Sequence, residues 1–201
     1  MTKMKLCGLK RIVDIETANR LKPEYVGFVF ASKSKRAVTA ETAAELKSSL
    51  DPQIQAVGVF VNELPEVAAD LLNRGIIDLA QLHGSEDEAY IRQLRTLTKK
   101  PLIRAFRIRS REDLLPAENC SADHILLDAG AGDGQTFDWD LLSGFSRPYF
   151  LAGGLTPENV REAIARCHPF AVDVSSGIET GGVKDAAKMA AFADAVRQAC
   201  L

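Results

Sequence analysis

The sequence predicts an α/β fold in which β–α units repeat along the chain and close into a single (βα)8 barrel. Three observations carry that expectation. Short apolar runs alternate with longer helical patterns about eight times. No run of consecutive strands suggests antiparallel hairpins. A count of eight such units favours a closed barrel over an open sheet, with about 200 residues the lower limit for that fold. A doubly wound sheet of about five or six strands accommodates the pattern only if several units are something else.

Each element has a local reason. Lys5-Leu6-Cys7 is the first strand, stopped at Gly8. From Arg11 to Leu21, the residues Ile12, Ile15, Ala18 and Leu21 recur every third position, a helical stripe. Tyr25 to Phe30 is an unbroken apolar run, as expected of a strand covered on both faces in a parallel sheet. Ala40 to Leu50 is a helix with Thr39 as N-cap and Glu41 and Glu45 early in it. Ala56 to Val61 is a strand and Leu64 to Asn73 a helix, with Pro65 in its first turn and Gly75 as its stop. Ile77 to Leu82 and Leu102 to Ile108 are strands flanking a helix from Glu86 to Thr96. Arg111 to Asn119 makes a weak, irregular fifth crossover helix because Pro116 interrupts it. Asp123 to Asp128 is a strand and Asp138 to Leu142 a short helix. Tyr149 to Ala152 is a strand ending in Gly153-Gly154. A helix from Pro157 to Ala165 follows, capped by Thr156. Ala171 to Val174 is the last strand and Lys184 to Ala199 the closing helix.

Composition narrows the class. The 201 residues are 46 % hydrophobic and 26 % charged, which excludes a disordered chain. Lys+Arg number 25 against 27 Asp+Glu, a net charge of −2 with no basic block, so a general nucleic-acid binder is not expected. The longest apolar runs, Tyr25 to Ala31 and Val57 to Val61, fall far short of the roughly 20 residues that span a bilayer. No charged-then-apolar leader opens the sequence, so a soluble cytoplasmic protein without membrane partners is expected. No linker divides it, and residues 1–201 read as one domain. The four cysteines (Cys7, Cys120, Cys167, Cys200) lie too far apart for a zinc or redox motif.

In such a barrel the functional groups stand at the carboxyl ends of the strands. Those positions here hold Cys7, Gln81 with His83, Asp128, Gly153-Gly154, and Asp173 followed by Ser175, Ser176 and Gly177; the basic loop after the second strand holds Arg36. Gly153-Gly154 and Ser175-Ser176-Gly177 together suit a phosphate, because backbone and hydroxyl donors can approach it without obstruction. Cys7 reads as a structural thiol or as a base. Asp128 reads as a cap or ion-pair partner, or as an acid. Arg36 is either a solvated loop charge or a fork for a carboxylate. His83 could be a ligand or a packed imidazole; no second His or Cys at ligand spacing supports a metal. Gly130-Ala131-Gly132-Asp133-Gly134 reads as a loop over the mouth.

In order along the chain stand Lys5-Leu6-Cys7-Gly8, Gly27-Phe28-Val29-Phe30, Ser34-Lys35-Arg36, Val57 to Asn62, Gln81-Leu82-His83-Gly84, Leu126-Leu127-Asp128, Phe137-Asp138-Trp139, Leu151 to Leu155 and Asp173 to Glu179. This ordered set closely resembles the phosphoribosylanthranilate isomerase family of tryptophan biosynthesis. The resemblance implies a (βα)8 barrel that performs an Amadori rearrangement without metal or organic cofactor. Its substrate is N-(5-phosphoribosyl)anthranilate, a small phosphorylated molecule, and its product 1-(2-carboxyphenylamino)-1-deoxyribulose 5-phosphate. It also implies Cys7 as general base, Asp128 as general acid, Arg36 on the anthranilate carboxylate and Gly153, Gly154, Ser175, Ser176 and Gly177 on the phosphate. Gln81, His83 and Asp173 would line the mouth. Monomer and homodimer are both compatible. Two other readings compete: the analogous aminoaldose isomerase of histidine biosynthesis, which uses a carboxylate where Cys7 stands and has a half-barrel repeat not visible here, and a silent barrel that only binds a phosphorylated ligand.

Overall fold

Eight parallel strands pair in chain order, and the eighth closes on the first. They are β1 (Lys3–Cys7), β2 (Tyr25–Val29), β3 (Gln55–Phe60), β4 (Leu79–Leu82), β5 (Leu102–Arg107), β6 (His124–Asp128), β7 (Tyr149–Ala152) and β8 (Ala171–Val174). The structure is a computed structural model and describes residues 1–128 and 138–199. The loop expected at 130–134, Phe137 and Cys200 lie outside the described residues.

Alternation along each strand builds two cores. Tyr25, Val57, Leu79, Ile103, Leu126 and Phe150 meet inside the ring. Their neighbours of opposite parity, such as Val26, Phe28, Phe60, Leu82 and Leu127, pack under the helices. Both faces are therefore dry, which is why β2 is buried at every position and reads as one apolar run. Above the inner core, Cys7, Val29 and Val59 form a small layer at the carboxyl-terminal mouth.

The helices are α1 (Ile12–Leu21), α2 (Ala40–Ser48), α3 (Pro65–Asn73), α4 (Glu88–Leu97), α5 (Leu114–Glu118), α6 (Val160–Cys167) and α7 (Ala186–Gln198). Thr39 caps α2 by accepting from the Thr42 amide at 3.2 Å, and Gly75 stops α3 at φ +72. In α1, Ile15 and Ala18 are buried but Ile12 is exposed. A strict every-third-residue stripe drifts by about 60° per step around a 3.6-residue helix, so its ends leave the buried face. The fifth crossover is short and irregular as expected: a 3-10 turn (Arg111–Asp113) runs into the five-residue α5, which contains Pro116. Asp138 caps a 3-10 turn, Trp139–Leu142, rather than an α-helix.

Two local expectations need correction. The helix expected from Pro157 starts only at Val160. Asn159 accepts from the Thr156 amide at 2.8 Å and donates to the Gly154 carbonyl at 2.9 Å, which holds the preceding residues in a turn. The second concerns Lys184, which is not the start of the closing helix. It belongs to a small antiparallel hairpin, β9 (Glu179–Thr180) with β10 (Val183–Lys184). Gly181 and Gly182 turn it at φ +60 and +78, the paired positive values that a two-residue hairpin of this type demands. The Gly-Gly pair was its sequence signal. Asp185 then caps α7 by accepting from the Ala187 and Lys188 amides.

Candidate active site

The carboxyl ends of the strands enclose a cleft of about 240 Å³. Cys7, Arg36, Gln81, His83, Asp128, Gly153, Gly154, Asp173, Ser175 and Ser176 all line it, joined by Ser34 and Leu155, which the sequence reading did not single out. Gly177 does not line it. A Cβ there would lie 2.0 Å from the Leu155 carbonyl oxygen, so this glycine lets the loops after β7 and β8 touch. Gly153 and Gly154 adopt φ +98 and +64, left-handed values that side-chain-bearing residues avoid.

β1 carries two inward polar groups, Lys5 and Cys7. The thiol, 8 % exposed, fits because its partner in register on β2 is Gly27: a Cβ at Gly27 would stand 2.7 Å from Cys7 Sγ. Lys5 is fully buried, and its Nζ donates to Asp173 Oδ2 at 2.9 Å. Burial pushes the Cys7 thiol above its ordinary pKa, and the Lys5 and Lys184 ammonium groups only partly oppose that rise. Burial alone would discharge Lys5, but Asp173 and Cys7 together outweigh it and raise the ammonium's pKa.

Lys5 escaped the sequence reading, although its place two residues before Cys7 puts both on one face of the strand. Lys5→Met should cost about 3–5 kcal/mol in urea denaturation, because it strands the Asp173 carboxylate in the interior. The pair Lys5→Met/Asp173→Asn should recover most of that loss. A single variant within 1 kcal/mol of wild type, on the same rough scale, would show that the pair carries little.

On the far side of the mouth, Gln81 Nε2 lies 2.8 Å from His83 Nδ1, and His83 Nε2 lies 3.1 Å from Asp128 Oδ2. An amide N–H can only donate, so Nδ1 accepts and the ring proton faces Asp128. Gln81 Oε1 and Asp173 Oδ1 are buried and have no hydrogen-bond partner among the described residues, leaving acceptors for a polar ligand.

Arg36 stands on the loop after β2, its amide donating to Ser34 Oγ at 3.1 Å. Its Nε and Nη2 donate to Glu179 Oε1 and Oε2 at 2.6 and 2.8 Å. Lys184 Nζ donates to the same carboxylate at 2.6 Å and to the Ser175 carbonyl at 2.8 Å, and Ser175 Oγ donates to the Cys7 carbonyl at 3.2 Å. Glu179 and Lys184 were not among the expected site residues. The first closes the Asp173-to-Glu179 motif, and the second was hidden by its assignment to a helix.

The cleft thus offers a thiol beside cations, a carboxyl beside an imidazole, an arginine fork and two glycine-lined loops. That set can move protons and hold anions. No helix among the described residues is long and apolar enough to cross a membrane. The pattern of the N-(5'phosphoribosyl)anthranilate (PRA) isomerase family matches residues 4–195. The N-(5'-phosphoribosyl)anthranilate isomerase of Endomicrobium trichonymphae is 46 % identical over 194 residues, covering 94 % of this chain and 95 % of its own length. Phosphoribosyl anthranilate isomerase from Thermotoga maritima superposes with a TM-score of 0.91 at 36 % identity, over 98 % of this chain and 100 % of that one. A further solved isomerase of this name, in complex with reduced 1-(o-carboxyphenylamino)-1-deoxyribulose 5-phosphate, superposes with a TM-score of 0.89 at 37 % identity, over 98 % and 100 %. The chain therefore belongs to the N-(5'-phosphoribosyl)anthranilate isomerase family, isomerases of tryptophan biosynthesis that interconvert an aldose and a ketose.

Proposed function

We propose that this cleft converts N-(5-phosphoribosyl)anthranilate into 1-(2-carboxyphenylamino)-1-deoxyribulose 5-phosphate by acid–base catalysis between Cys7 and Asp128. The observation that carries this reading is that both side chains line one cavity, although they arrive on β1 and β6. Asp128 gives a proton to the ribose ring oxygen, and the ring opens to a protonated Schiff base. The Cys7 thiolate then takes the proton from C2, leaving an enolamine that tautomerises to the ketone. In that last step the 2-hydroxyl loses its proton and C1 gains one, so only protons move and the rearrangement balances without an external oxidant or reductant.

The rest of the cleft suits the remaining parts of the substrate. Gly153, Gly154, Ser175 and Ser176 receive the phosphate. Gly177 contributes by letting the two loops close on each other. Arg36 faces the anthranilate carboxylate, and Gln81, His83 and Asp173 offer polar contacts to the opened sugar.

Purified protein given freshly made substrate should show steady loss of anthranilate-type fluorescence, at the same rate with chelator present. Folded protein that binds the substrate without turnover would leave the silent-barrel reading in its place. Rescue of a tryptophan auxotroph checks the same point in cells.

A further inference from the structure

We propose that Glu179 is a positioning residue for this reaction: it clamps Arg36 from behind and thereby sets the preference for a ligand bearing an aryl carboxylate. This inference rests on the reading that Arg36 receives that group. A guanidinium has two edges that can fork a carboxylate, Nε with Nη2 and Nη1 with Nη2. Glu179 occupies the first of them in full. An incoming carboxylate is left the second edge only, in the plane that Glu179 dictates.

The clamp is itself immobilised. Glu179 pairs in register with Lys184 across the hairpin, whose tight turn rests on Gly181 and Gly182. Lys184 Nζ holds one of its oxygens, and Lys188 Nζ donates to its carbonyl at 2.7 Å. The side chains of Glu179 and Lys184 are 8 % and 2 % exposed, while that of Arg36 is 30 % exposed. Of the three, only Arg36 lines the cleft. Gly8 completes the channel for it, since a Cβ there would stand 2.5 Å from Arg36 Cδ.

Two cations share one carboxylate, so the cluster keeps a net charge of +1 toward an anion. Burial pushes the Glu179 carboxyl up, but the hydrogen bonds from Arg36 and Lys184 outweigh it and bring it down to about 2. The clamp therefore stays ionised and closed across the neutral range. In a 2-aminobenzoate the amine N–H holds the carboxylate near the ring plane. A fixed fork on that carboxylate consequently orients the ring, and with it the sugar carbons facing Cys7 and Asp128.

The test uses the whole chain and two probes: reduced 1-(o-carboxyphenylamino)-1-deoxyribulose 5-phosphate and its counterpart lacking the carboxyl group. Glu179→Gln turns an amide N–H2 toward a cation and releases Arg36. KM should rise about tenfold with kcat within about twofold, and the binding preference for the carboxylated probe should shrink by a similar factor. In an Arg36→Met background the same substitution should add less than about twofold, because the two residues act as one unit. Should Glu179→Gln fail to fold in circular dichroism, Glu179→Asp supplies the test, since its shorter side chain withdraws Arg36 and should raise KM in the same way. An unchanged KM, an equal loss for both probes, or a full further loss on top of Arg36→Met overturns the inference. If wild type and Arg36→Met bind both probes alike, the reading of Arg36 fails instead. If Arg36→Met loses the preference while Glu179→Gln keeps it, only the role of Glu179 fails.

Discussion

Cys7→Ala should lower kcat by about 10²–10⁴-fold while KM changes little, because a general base is removed and no binding group is lost. The cavity left is small, so circular dichroism should report an intact barrel. The base is the thiolate, which makes the pH dependence specific. Burial raises the thiol pKa, and the cations beside it, Lys5 on β1 and Lys184 on β10, oppose that rise; Asp173 on β8 reinforces it. Arg36, on the loop after β2, is a further charge that interacts with the thiol. Below the thiol pKa the base is protonated and inactive, so kcat/KM should climb with pH along a limb belonging to Cys7. In Lys5→Met/Asp173→Asn the larger, opposing influence of Lys5 is lost, and the limb should move to higher pH. Measured kcat/KM profiles from pH 6 to 10 check both statements. Turnover of Cys7→Ala close to wild type would withdraw the thiol from the mechanism.

Asp128→Asn should cost kcat by a comparable factor, about 10²–10⁴-fold, for the opposite reason. The amide keeps the shape and can still meet His83, but it has no proton to give the ring oxygen. The neighbouring side chains suit a carboxyl that gains and loses a proton. With Asp128 ionised, Gln81 Nε2 donates to His83 Nδ1 and His83 Nε2 donates to Asp128. With Asp128 protonated, the carboxyl donates to Nε2 and a turned Gln81 amide accepts from Nδ1. Both arrangements leave the two ring nitrogens paired, so the proton can come and go without stranding the imidazole. Single-turnover kinetics should place the loss in the ring-opening step. A kcat within about threefold of wild type would move the acid elsewhere, since even modest acid catalysis exceeds that.

Much of the fold was legible because its signals are local. β7 (Tyr149–Ala152) and β8 (Ala171–Val174) begin and end where their apolar runs do. The cap at Thr39, the stop at Gly75 and the weak crossover at Pro116 follow from one residue each. Boundaries failed where a residue had two competing local roles. Pro157 is compatible with a first helical turn, yet Asn159 spends its side chain on Thr156 and Gly154 and delays α6. Lys184 continues a helical pattern, yet Gly181-Gly182 folds it back as a strand.

By itself the sequence determined the order of strands and helices and placed Cys7, Asp128, Asp173 and the glycine–serine loops at strand ends, since hydrophobic period and turn residues are properties of neighbours along the chain. Closure of the ring decided which of these groups meet. Lys5 joins Asp173 across 168 positions and Arg36 joins Glu179 across 143, because β8 pairs with β1 and the hairpin after it sets Glu179 against the loop after β2. A lysine or glutamate in a one-dimensional pattern reads as solvent-facing. Only a partner brought in from the other end of the chain makes its burial affordable, and that partner is fixed by strand register rather than by any local preference.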